Sequence, residues 1–136
     1  MSDVTPTGRE LEALKVLWKR GRATVREIYQ ELIPKDGELA YTTALSLMQT
    51  MEQKGLVGHE VAGKAHVFHA KVGRDNVFRT LAGGFLDQVF DGAMGEYVVR
   101  ALQSRRPSLA ELEELEVMIA EAKEHARARD ERGEER

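Results

Sequence analysis

Three short apolar stripes of helical period come first, then two β-prone runs about a Gly63-Lys64 turn, then helical period alone. This order of elements constrains the fold more than any other feature of the chain. Thr7-Gly8-Arg9-Glu10 reads as a capping box, in which a hydroxyl takes an orphan amide and a Glu three residues on reaches back. Leu11, Leu14, Leu17 and Trp18 follow on one face of a helix of about three turns, and Gly21 ends it. Arg22-Ala23 is a short connector holding one strand residue or two. Thr24-Val25-Arg26-Glu27 repeats the capping signature, and Val25, Ile28, Tyr29, Leu32 and Ile33 line a second helix. Pro34 stops it, because a residue before proline avoids the α region. A third helix is predicted over 40–53, with Ala44, Leu47, Met48 and Met51 inward. Thr42, Ser46, Gln49 and Gln53 point the other way, and Thr43, Leu45 and Thr50 lie on the flanks.

Residues 56–62 and 65–70 read as a β-hairpin, its register open by one residue. Beyond Gly73 the stripe Val77, Phe78, Leu81, Phe85, Leu86, Val89 and Phe90 makes a fourth helix, interrupted by Gly83-Gly84. Met94, Tyr97, Val98, Ala101 and Leu102 make a fifth, stopped by Pro107. Ser108-Leu109-Ala110-Glu111 is a third capping box. Leu112, Leu115, Met118, Ile119 and Ala122 continue its stripe. From Lys123 on, charge dominates, and the last ten residues are expected to fray or be disordered.

Helix–helix–helix–hairpin is the winged helix-turn-helix order. The predicted fold is mainly α: a winged helix-turn-helix of three helices plus a hairpin wing, followed by a three-helix region. The predicted divisions are 1–72, 73–124 and a charged tail, 125–136. About 50 residues in three helices are few for a separate core, yet their apolar stripes are rich. A second copy of the chain would cover them, so a symmetric homodimer is expected. Its interface would use Phe78, Leu81, Phe85, Leu86, Val89, Tyr97, Val98, Leu102, Leu112, Leu115 and Ile119.

Composition narrows the function. The chain has 136 residues, no Cys and a formal charge of −3. No disulfide, thiolate nucleophile or thiolate metal site can form. No apolar run approaches a membrane span, and Met1-Ser2-Asp3-Val4 does not read as a leader, so a cytoplasmic protein without membrane contact is expected. Residues 1–72 carry ten Lys and Arg against nine Asp and Glu, and residues 73–136 ten against fourteen. Any nucleic-acid surface therefore belongs to the first half. No catalytic constellation appears, and no enzyme is expected.

In a helix-turn-helix the second helix enters the major groove with its N-terminal residues leading. Here that is helix 40–53, whose outward side offers Thr42, Thr43, Ser46, Gln49, Thr50 and Gln53, while Tyr41 opens the helix and either packs or reaches the DNA backbone. Hydroxyls bond phosphates or base edges, their methyls meet thymine methyls, and a Gln pairs with adenine through two bonds. No acid precedes Glu52. Positioning charges would come from Arg22, Arg26, Lys54, Lys64 and Arg9, with Gly63-Lys64 as the wing tip. His59, His66 and His69 share the hairpin, but strand alternation leaves at most two on one face, so packing or phosphate contact is expected and no metal or cofactor.

These segments resemble a known family. Residues Thr7-Gly8-Arg9-Glu10-Leu11-Glu12-Ala13-Leu14-Lys15-Val16-Leu17-Trp18 look like the first-helix signature of the penicillinase-repressor (BlaI/MecI/CopY) family. So do Ala23-Thr24-Val25-Arg26-Glu27-Ile28, Ala40-Tyr41-Thr42-Thr43 and Met51-Glu52-Gln53-Lys54-Gly55-Leu56-Val57. The resemblance spans residues 5–122 and is most specific in the first 70. It implies a dimeric winged-helix repressor of genes such as those for β-lactamase or copper transport, bound to a palindromic double-stranded DNA operator. It also implies that Tyr41, Thr42, Thr43, Ser46 and Gln49 fall in the recognition helix and that 74–122 dimerise. Copper-responsive members carry Cys pairs, and this chain has none. β-Lactam-responsive members are cleaved at an Asn-Phe bond, where this chain reads Arg100-Ala101. A sensor or protease partner stays open.

Two other readings stay open as well. One is an effector pocket among Phe78, Phe85, Phe90, Met94 and Tyr97. The other is a winged helix that binds protein and not DNA.

Overall fold

A computed structural model describes residues 5–133. The elements are α1 (Gly8–Arg20), β1 (Ala23–Thr24), α2 (Val25–Leu32), α3 (Tyr41–Gln53), β2 (Val57–Ala62), β3 (Ala65–Ala70), α4 (Arg74–Phe90), α5 (Met94–Arg105) and α6 (Leu109–Glu131). The architecture is mainly helical, with one small antiparallel sheet of order β1-β3-β2. All three capping boxes form with both bonds. At α1, the Thr7 amide donates to Glu10 Oε1 at 2.9 Å and the Glu10 amide to Thr7 Oγ1 at 3.3 Å.

The connector between α1 and α2 is a two-residue strand, with Ala23 opposite Phe68 and Thr24 opposite Val67. The hairpin register pairs Val57 with Ala70 and His59 with Phe68. Phe68 and Val57 thereby face the core, and the open register is settled by their burial. Gly63 takes φ +64° at the wing tip, a left-handed conformation that glycine adopts without steric cost.

The chain divides into two compact units, one ending at Gln88 and one beginning at Val89. The first unit holds the core: Leu14, Leu17, Ile28, Met48, Met51, Leu56, Val57 and Phe68 are all fully buried. It reaches further than the boundary at residue 72 read from the sequence. Val77 of α4 is buried, and the Phe78 ring meets Trp18 edge-on at 5.8 Å. Phe78, expected in a dimer face, also covers Trp18 within the single chain. Sequence periodicity could not see this, because the partner lies sixty residues away on α1. Trp18 also donates its indole N–H to the Val72 carbonyl at 3.0 Å.

In the second unit, Phe90 and Tyr97 stack at 5.4 Å. Neither α5 nor α6 buries a residue. Helix α6 runs on to Glu131, into the last ten residues, where fraying or disorder was expected. Residues 123–131 are Ala, Lys, Glu and Arg for the most part, all strong helix formers, and Arg127 pairs with Glu124 one turn back. Charge there reports a solvated helix face. Residues 134–136 of the expected tail, and residues 1–4, lie outside the described residues.

Candidate nucleic-acid interface

Helix α3 is held from one side only. Ala44, Met48 and Met51 are buried, and Leu47 packs at the edge of the core. Thr42, Thr43, Ser46, Gln49, Thr50 and Gln53 are all exposed. Among the described residues none of these six has a side-chain hydrogen-bond partner.

Both ends of α3 are fastened. At the start, Tyr41 lies edge-on against Tyr29 at 5.5 Å, and the Arg26 guanidinium sits 4.9 Å from the Tyr41 ring centre. At the end, Lys54 Nζ donates to both Glu10 carboxylate oxygens, at 2.7 and 3.0 Å. Glu10 is only 2% exposed. One carboxylate therefore caps α1 and anchors the last turn of α3. Burial pushes the Glu10 carboxyl up, but the Lys54 ammonium and the Thr7 amide and hydroxyl outweigh it and hold it below the usual carboxylate range. The pairing was not legible from sequence, which showed only the local cap.

This geometry sorts the five cations singled out above. Arg9 pairs with Asp36 at 2.6 Å, Arg22 with Glu60 at 2.5 Å, and Lys54 with Glu10. Lys54 is thus occupied as an internal anchor. Arg22 and Glu60 are both well exposed, and such a pair opens at little cost. Arg26 and Lys64 are exposed and have no carboxylate partner among the described residues.

Arg26 and Lys64 flank one groove of about 460 Å³ between α3 and the wing. Its other lining residues are Thr24, Val25, Tyr41, Leu45, Ala65 and His66. Leu45 is 38% exposed, alone among the large apolar side chains of α3 in standing outside the core cluster. The sequence placed it on a flank without a role. The hairpin alone decides that this flank lines a groove.

The single acid of α3 is withdrawn from that face. Glu52 accepts from His59 Nδ1, with both oxygens at 2.8 Å. His59 in turn stacks on His66 at 4.4 Å and leans on Phe68 at 5.3 Å. His59 is therefore packed between strand and helix, and His66 lies between it and the groove. Among the described residues no group of three metal-binding side chains converges, and no helix is long and apolar enough to cross a membrane.

The family profile described as penicillinase repressor matches residues 6–121. The penicillinase repressor of Bacillus licheniformis is 25% identical over 114 residues, covering 84% of this chain and 88% of that one. The solution structure of the DNA-binding domain of the repressor BlaI superposes with a TM-score of 0.49 at 22% identity, covering 56% of this chain and 93% of that domain.

Proposed function

The chain belongs to the penicillinase repressor family, and on that premise we propose that it acts as a homodimer occluding a promoter by seating two copies on a palindromic operator. It is a DNA-binding transcriptional repressor, and its work is binding rather than chemistry. The observation that carries the reading is the exposed, acid-free face of α3 beside a groove lined by two exposed cations, Arg26 and Lys64, that have no carboxylate partner among the described residues. Thr42, Thr43, Ser46 and Gln49 meet base edges in the major groove, with Thr50 and Gln53 further along. Arg26 and Lys64 take phosphates on either side. Lys54 contributes by fixing α3 and not by contact.

Dimerisation supplies what the sparse charge lacks. Two or three phosphate contacts per copy give weak binding, and a linked second site multiplies it. Support comes from the second unit, where Val89, Val98, Leu112, Leu115 and Ile119 are exposed in the single chain, Ile119 by 57%. Helices that bury nothing are marginal in water on their own. The expected faces of α5 and α6, with Leu81, Phe85 and Leu86 of α4, are covered by a second copy.

The test is selection of bound duplexes from a random pool with the full chain. Two inverted half-sites about one helical turn apart, about 10 base pairs, are expected. A single unrepeated site would remove the twofold reading. Absence of any salt-sensitive binding would favour a winged helix that binds protein.

A further inference from the structure

We infer that Leu45 is a specificity-determining residue, reading the 5-methyl group of one thymine in each half-site. The inference rests on the DNA-binding reading and adds to it a statement about the operator. Leu45 projects from the N-terminal half of α3, the part of a recognition helix that meets base edges. Its neighbours one turn away on the same side are Tyr41, Thr42 and Gln49. Ala44, Met48 and Met51 bury their side chains, and Leu47 packs on the core, yet Leu45 stays outside it and 38% exposed. It lines the groove with Arg26 on one side and Lys64 on the other.

A hydrocarbon at that point has no polar partner to offer a base. Beside the hydrogen-bonding groups of the four bases, thymine alone presents a methyl at its major-groove edge, where cytosine has only a hydrogen. An apolar side chain held between two phosphate-binding cations therefore selects thymine. The surrounding hydroxyls of Thr42 and Ser46 and the amide of Gln49 read the neighbouring positions. Their hydroxyl and amide chemistry tolerates several bases, so the leucine supplies the sharper discrimination against cytosine at its own position.

The experiment replaces each thymine of the selected duplex, one at a time, by deoxyuridine, which lacks only the methyl. Affinity is read by fluorescence anisotropy with the full chain, its Leu45→Ala variant and its Leu45→Met variant. Circular dichroism spectra matching the parent chain verify that the variants fold. Losing one buried methyl weakens binding about fourfold, and about sixteenfold when both half-sites are changed. The expected result is one such thymine per half-site for the parent chain and for Leu45→Met, with Leu45→Ala indifferent to the change. Indifference of the parent chain to every deoxyuridine overturns the inference and leaves the DNA reading intact. So does an equal penalty in Leu45→Ala, which would assign the methyl to Thr42 or Thr43. If no duplex is selected at all, the DNA reading itself fails and Leu45 falls with it.

Discussion

Glu10 shows how one residue can serve a cap, a core and a distant helix together. Its carboxylate pKa is lower in the folded chain than in the unfolded one. The stability it contributes is therefore fully present above the ordinary glutamate pKa of about 4.3, and is lost as pH falls below that toward the folded value. Glu10→Gln keeps a group able to close the capping box but cannot hold the Lys54 charge. It is expected to cost about 1–2 kcal/mol at neutral pH in urea denaturation, and to flatten the stability profile below pH 5. Some acid-side slope remains. Glu12 is held low by Lys35, Glu27 by the Thr24 amide and Asp36 by Arg9. A variant as stable as the parent at pH 7 would remove Glu10 from the anchoring of α3. The surface cations make a different prediction. Arg26→Ala and Lys64→Ala should each lower the slope of log affinity against log salt by about 0.9 per copy of the chain. Lys64→Ala should leave the melting temperature unchanged, while Arg26→Ala lowers it slightly through loss of the contact with the Tyr41 ring. Lys54→Ala should do the reverse, destabilising the fold while leaving the salt slope nearly unchanged.

At the scale of elements, helix starts were the most legible feature, because a capping box is a local code and its two bonds need only four consecutive residues. All three boxes read from Thr7, Thr24 and Ser108 are formed. The exposed side of α3 was legible too, since Ala44, Met48 and Met51 fix the opposite side by period alone. What escaped depends on contacts between different elements: Lys54 meeting Glu10, Glu52 meeting His59, Phe78 covering Trp18, and Leu45 becoming the wall of a groove. None leaves a mark within one turn of sequence. The end of α6 was misjudged for a different reason. Polarity was read as disorder, where Ala, Glu, Lys and Arg also favour helix. Helix α6 offers its own test. Leu112→Lys and Ile119→Lys lie two turns apart on one face, and the double variant should sediment as a monomer while the first unit keeps its thermal transition. Continued dimerisation would move the interface off this face.

For the whole molecule, the division at Gln88 and Val89 separates a unit with a core from one whose α5 and α6 bury nothing. A fragment of residues 1–88 is expected to fold on its own and to bind the operator 10²–10⁴-fold more weakly than the full chain, as expected when a linked second site is lost. A fragment ending at residue 73 keeps α3 and the wing but strips Val77 and Phe78 from the core and from Trp18. It should be less stable than the longer fragment by about 2–4 kcal/mol, which parallel thermal melts would measure. Among the described residues, Thr42, Thr43, Ser46 and Gln49 bond no other side chain, while anchoring is left to Ala44, Met48, Met51 and Lys54. If α3 reads the operator as proposed, exchange of Thr42, Thr43, Ser46 and Gln49 should retarget the protein to a new address at almost no thermodynamic penalty, so divergence of operators within such a lineage need not wait for compensating changes elsewhere.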